Sequence, residues 1–183
     1  MSEKKFVKER VELGEAAKRV MEALPAGILL NTQGEKFNSM VIGWGAMGNV
    51  WRAPSFTVYV RENRYTKAVL DETREFTISV PAGRPDGKIN QICGWKSGRD
   101  IDKAAEAGLT LVSGEKVSVP GVAEYPLTLE CKVVYAQKQE LSLLPDEILR
   151  AMYPQDVEGT YPMANRDAHT MYIGEIVDAY VIR

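Results

Sequence analysis

Histidine is nearly missing from this chain: His169 is the only one, and cysteine stops at Cys93 and Cys131. One imidazole cannot supply a multi-histidine metal site, and two distant thiols without a CxxC spacing do not complete a structural zinc site. No metal is expected, and free thiols in a reducing compartment are the expected state of the cysteines. Net charge is scarce too. With 23 Lys and Arg against 25 Asp and Glu, the formal charge of -2 gives no chain-wide attraction to nucleic acid or an anionic membrane. No run approaches the ~20 apolar residues of a membrane span. Met1-Ser2-Glu3-Lys4-Lys5 leads into the charged Val7-Lys8-Glu9-Arg10, where a signal segment would be apolar, so a cytoplasmic location is expected. Nor is there a Ser/His/Asp or Cys/His constellation. No side chain is assigned a catalytic role, and an enzyme built from this chain would borrow its chemistry from a cofactor.

The chain has the glycine spacing of a dinucleotide-binding turn, Gly43-Trp44-Gly45-Ala46-Met47-Gly48. That motif works only when a strand precedes it and a helix opens at its last glycine, because helix amides hold the pyrophosphate. Ser39 to Trp44 satisfies the first condition. The second fails: Asn49-Val50-Trp51-Arg52-Ala53-Pro54 and the β-branched and aromatic Ser55 to Arg61 predict a loop and another strand. Gly45 and Gly48 are therefore assigned to a mobile loop.

At 183 residues, 45% of them hydrophobic, the length fits one domain over 1–183, with 1–11 as an N-terminal extension. Helical spacing of Leu13, Ala16, Ala17, Val20 and Leu24 predicts a helix over 12–24, stopped by Pro25. Strands are predicted at 28–31, 39–44, 55–61, 75–81, 109–112 and 171–183. A long half-buried strand at 125–139 has Leu127, Leu129, Cys131 and Val133 on its buried face. Short helices are predicted at 67–72, 88–93, 100–108 and 145–152, and an irregular excursion at 153–168. Six or more strands in hairpin sequence imply a mainly β chain, an antiparallel barrel closing its own edges with short peripheral helices.

Three stretches could carry chemistry. Arg64-Tyr65-Thr66-Lys67 stands where a strand ends and a helix begins. Its amides, hydroxyl and guanidinium suit one phosphate, or Thr66 or Asn63 simply caps the helix. Cys93 to Lys103 holds two glycines, Lys96, Arg99 and Lys103, and reads either as an anion-binding connection or as a helix link capped by Ser97. Trp44 and Trp51 flank glycines at a strand end, where rings line a groove for a planar ligand or fill a core. Cys93 reads as an inert thiol and His169 as a strand-end polar residue.

In this order the stretches resemble the flavin reductase-like proteins of the FMN-binding split barrel, the group that includes flavoredoxin. The resemblance rests on Asn38-Ser39-Met40-Val41-Ile42-Gly43-Trp44, on Pro54 leading to Arg64-Tyr65-Thr66, on Cys93-Gly94-x-x-Ser97-Gly98-Arg99-Asp100-x-Asp102-Lys103, and on His169-x-x-Tyr172-Ile173-Gly174-Glu175. It implies a homodimer of six-stranded antiparallel split barrels, each binding one FMN without a covalent link near the subunit interface. It places Asn38, Trp44 and the backbone of Ser39, Met40, Val41, Ile42 and Gly43 beside the ring. Arg64, Thr66 and Lys103 fall at the phosphate end, with Tyr65 and Ser97 as neighbours. Val41 and Gly43 stand where the family usually has Thr or Ser, so backbone amides would serve the ring here. The implied activity is that of an oxidoreductase taking electrons from NAD(P)H to flavin or another small acceptor. The alternatives are a flavoredoxin-like carrier with a redox protein partner, and a non-catalytic flavin-binding module.

Overall fold

The computed structural model describes residues 5–157 and 165–183; residues 158–164 of the predicted excursion, and Met1 to Lys4, lie outside the described residues. A short strand β1 (Lys8–Arg10) precedes helix α1 (Leu13–Ala23), which buries Ala16 and Val20 and ends in a 3-10 turn at Pro25. A hairpin, β2 (Ile28–Gln33) and β3 (Phe37–Ile42), is followed by a second, β4 (Gly45–Val50) and β5 (Ala53–Arg61). Next come α2 (Tyr65–Thr73), β6 (Glu75–Val80), α3 (Gly87–Trp95), α4 (Lys103–Ala107) and the two-residue strands β7 (Leu111–Val112) and β8 (Gly121–Val122). The chain closes with β9 (Leu127–Lys138), α5 (Asp146–Met152) and β10 (His169–Ile182).

The main sheet is antiparallel throughout and runs β3-β2-β6-β9-β10-β5-β4, with β1 as an eighth strand paired to β10; β7 and β8 form a separate ladder. This is the mainly β split barrel the sequence implied, with eight strands instead of six. The ladder stays open, with β3 and β4 as its ends, and does not close on itself. The core inside the curve joins Val20 and Leu24 to Ile28, Leu30, Phe56, Val58, Phe76, Ile78, Leu129 and Tyr172. Burying side chains of this kind contributes roughly 1.5–3 kcal/mol each. Gly174, at a register shift between β9 and β10, makes room for Phe76, whose ring atoms would lie 2.6 Å from a Cβ there.

Several sequence expectations change. The span from Gly45 to Val50 is a strand, not a mobile loop. Six residues pair in register with β5, and the tip is a tight turn in which Trp51 and Arg52 both take positive φ (52° and 67°). Part of the 1–11 extension is integral to the sheet, since Lys8, Glu9 and Arg10 pair with Ile182, Val181 and Tyr180. The expected half-buried strand at 125–139 is buried on both faces at its start. Thr128 and Glu130 are fully buried, and the Glu130 carboxylate accepts hydrogen bonds from the amides of Glu115, Lys116 and Val117 and from the Tyr180 hydroxyl. Three amides and a hydroxyl explain how a carboxylate is tolerated there. No helix among the described residues is long and apolar enough to cross a membrane.

Candidate functional site

The start of α2 faces the end of β3 across the link between α3 and α4, and the space between them is a cleft of two lobes. The first, about 280 Å³, is lined by Asn38, Met40, Val41, Asn63, Arg64, Tyr65, Thr66, Cys93 to Gly94, Lys96 to Asp100, and Lys103. The second, about 200 Å³, is lined by Met40 to Trp44, Tyr59, Arg61, Arg64, Asn165 and His169. Met40, Val41 and Arg64 line both lobes, so the two form one groove.

The first lobe is mostly cationic, with Arg64, Lys96, Arg99 and Lys103 against Asp100. Arg64 is the extended N-cap residue of α2, and its side chain makes no capping hydrogen bond. This overturns the reading of Thr66 or Asn63 as a cap and turns the first-turn amides, with the positive end of the helix dipole, toward the cleft. The Thr66 hydroxyl, 2% exposed, accepts from Asn38 Nδ2 at 2.9 Å, which leaves its own proton to donate. Lys103, at the start of α4, is also buried. Its Nζ donates to the carbonyls of Ser39 (2.7 Å) and Cys93 (2.9 Å), and its third N–H has no such carbonyl. Burial, with the Arg64 charge adding to it, brings the Lys103 pKa down to about 8, while Cys93 opposes the shift. Burial also lowers the Arg64 pKa, against Asp167. A guanidinium keeps its charge through such a shift.

Two further details mark the Asn38 side of this lobe. Asn38 Oδ1 is buried and has no hydrogen-bond partner among the described residues, a state that a native chain rarely leaves unresolved. Gly98 lies so close that a Cβ there would come 2.1 Å from Asn38 Oδ1 and 2.8 Å from the Tyr65 ring, so only glycine lets the link approach β3. Ser97 does not cap α4. Its Oγ accepts from the Arg99 amide at 3.2 Å, while Asp102 caps the helix by accepting from the Ala105 amide at 3.0 Å. Arg99 donates to the Asn63 carbonyl and lies 5.6 Å from the Tyr65 ring centre.

The second lobe is more aromatic. Trp44, 42% exposed, stands 5.0 Å from the His169 ring at 45°. Arg61 pins the chain around it, donating to the carbonyls of Met152, Asn165 and Asp167 and lying 5.0 Å from the Tyr153 ring centre. His169 is 5% exposed, and burial together with Arg61 and Arg64 brings its pKa down to about 4, against Asp167, so the ring is neutral at neutral pH. Burial pushes the Cys93 thiol up, with Lys103 opposing, and so keeps it protonated and unreactive.

Of the residues expected at a cofactor, Asn38, Met40, Val41, Arg64, Tyr65, Thr66, Ser97 and Lys103 line the first lobe. Met40, Val41, Ile42, Gly43, Trp44 and Arg64 line the second. Ser39 lines neither; it is fully buried and enters through its carbonyl, which receives Lys103. Sequence reading missed Arg61, the need for glycine at 98 and the role of His169. The basic run at 96–103 did point to Arg99, whereas Arg61 lies inside an ordinary strand pattern. Trp51 is outside the cleft, 67% exposed at the β4–β5 tip against Tyr135.

Over residues 21–183 the chain matches the family model described as flavin reductase like domain, and it belongs to that family. Its structure is similar to flavoredoxin of Desulfovibrio vulgaris (Miyazaki F), with 28% identity, TM-score 0.62, and coverage of 85% of this chain and 68% of that one. It is also similar to flavoredoxin from Methanosarcina acetivorans, with 25% identity, TM-score 0.59, and coverage of 85% and 67%. An NADH:FAD oxidoreductase of Streptomyces globisporus C-1027 shares the fold at 18% identity and TM-score 0.60, with coverage of 90% and 80%. An uncharacterized protein of Archaeoglobus fulgidus is 35% identical over 77 residues, 42% of this chain and 43% of that protein's length. The match therefore spans less than half of that relative.

Proposed function

We propose that the cleft binds FMN without a covalent link and that the chain is an oxidoreductase passing electrons from NAD(P)H to flavin or another small acceptor. The observation that carries the reading is the start of α2 beside Arg64, Thr66 and the buried Lys103, which together suit a single phosphate. Tyr65 and Ser97 flank that end. The lobe lined by Met40 to Trp44 would take the ring, with Asn38 and the Ser39 backbone between the two ends. When bound, the flavin supplies the hydride and single-electron chemistry that these side chains lack. The protein's share is to hold the phosphate on fixed charges and amides, present a neutral imidazole and an indole to the ring side, and keep Cys93 out of the reaction. Two free buried cysteines suit a reducing cytoplasm.

The second reading is a flavoredoxin-like electron carrier working with a redox protein partner. It is favoured by identity, since the two flavoredoxins stand at 28% and 25% against 18% for the NADH:FAD oxidoreductase. Titrating FMN into the purified chain should quench FMN fluorescence, and Arg64→Met should weaken binding by on the order of 1–3 kcal/mol, as loss of a charged hydrogen-bond donor does. Unquenched FMN rejects both readings. Rapid mixing of the loaded protein with NADH or NADPH then separates them: bleaching on a catalytic timescale supports the reductase, and a spectrum that stays oxidised favours the carrier.

A further inference from the structure

His169 sits at the start of β10 with its two ring nitrogens in different surroundings. Nδ1 lies 2.9 Å from the Tyr153 hydroxyl, and that hydroxyl donates to Gln139 Oε1 at 2.8 Å. Nε2, on the other side of the ring, has no partner among the described residues, although the residue is 5% exposed and lines the ring-side lobe.

Which nitrogen carries the proton follows from the third group. Gln139 Oε1 also receives the backbone N–H of His169 at 3.3 Å, while the backbone N–H of Gln139 donates to the His169 carbonyl at 2.8 Å. A peptide N–H can only donate, so the Gln139 atom facing it is the carbonyl oxygen, and the amide cannot be turned over. The Tyr153 hydroxyl has one proton and gives it to that oxygen. Its oxygen can then only accept from the imidazole, so the proton of the neutral ring is on Nδ1.

We propose that Tyr153 and Gln139 are positioning residues that hold His169 in its Nδ1–H form, so that Nε2 faces the cleft as a bare acceptor for an N–H or O–H of the bound ligand. Tyr153 is 4% exposed and packs edge-on to the imidazole, with ring centres 5.5 Å apart, which fixes the ring plane as well as the proton. The pKa near 4 agrees, since an imidazolium would protonate both nitrogens and erase the acceptor. A flavin as the ligand rests on the reading above; the tautomer does not.

The sole histidine makes the test direct. Long-range proton–nitrogen NMR correlation spectra of the FMN-free chain, without affinity histidines and at neutral pH, should show one imidazole with a protonated Nδ1 and an unprotonated Nε2. A protonated Nε2 overturns the proposal. Gln139→Leu frees the Tyr153 proton to turn onto Nδ1 and should move the proton to Nε2, whereas Gln139→Glu keeps an acceptor and should keep the wild-type pattern. An unchanged pattern in Gln139→Leu overturns the positioning role. Adding FMN should then shift the Nε2 resonance. Quenched FMN with Nε2 unmoved overturns the ligand contact, while unquenched FMN rejects the flavin reading and leaves the tautomer result standing.

Discussion

Lys103 gives two of its ammonium protons to the carbonyls of Ser39 and Cys93, and burial brings its pKa down to about 8. Below that value the third proton and the full charge are available to an anion. Above it, binding a phosphate requires taking up a proton, so FMN affinity should fall with rising pH by up to about tenfold per pH unit. Stability moves the other way: the folded chain releases this proton more easily than the unfolded one, so the Lys103 contribution to stability rises from about pH 8 toward the ordinary lysine value. Weaker binding at higher pH therefore cannot come from Lys103-linked unfolding. Fluorescence titrations on either side of pH 8 should show the step in wild type and not in Lys103→Met; a flat wild-type profile would remove Lys103 from the phosphate end. That Arg64, Thr66 and Lys103 line the cleft was legible in the sequence because basic and hydroxyl residues stood at helix boundaries, and Asn38 was legible only through the family resemblance. The need for glycine at 98 was not, because it arises from Asn38, sixty positions away in the chain.

Elements with little side-chain signal were the ones misread. Gly45-Ala46-Met47-Gly48-Asn49 has low strand propensity, yet it forms β4 because the ladder to β5 satisfies its backbone. Lys8-Glu9-Arg10 has no apolar alternation, yet it covers the half of β10 beyond the reach of β5. Amides of Val7 and Arg183 exchange hydrogen bonds at 3.0 and 2.8 Å, Val11 bonds to Ala179, and Lys8 holds Ser113 and Glu115. Deleting residues 1–11 should therefore destabilise the chain by about 2–4 kcal/mol, taking roughly 0.5–1.5 kcal/mol for each backbone hydrogen bond lost. The cleft is lined by residues from other elements, so FMN affinity of the folded fraction should hold. Denaturant unfolding with and without the segment measures the first effect, and an unchanged midpoint would make 1–11 a mere appendage.

At the scale of the whole molecule, the antiparallel order and the mainly β class were legible from hairpin spacing, whereas the open ladder was not, because closure depends on which distant strands meet. That openness leaves a surface. β9 pairs with β6 as far as Lys132, its Val133 amide bonds the Arg74 carbonyl, and it follows β10 to Lys138, so its last five residues form an edge. Val134, at the register shift opposite Gly174, and Tyr135 are 48% and 37% exposed there, and Trp51 packs against Tyr135. An exposed apolar edge invites another chain. A second copy is the occupant that the family resemblance implies, and we propose that copy as the partner at this edge. Light scattering should then give twice the chain mass, and Val134→Glu should shift it toward monomer, since a buried unpaired carboxylate at an interface costs several kcal/mol. If the dimer completes the flavin pocket, the same substitution weakens FMN binding although it touches no cleft residue. A wild-type monomer that binds FMN fully would show that one chain suffices and leave the β9 edge to a different partner.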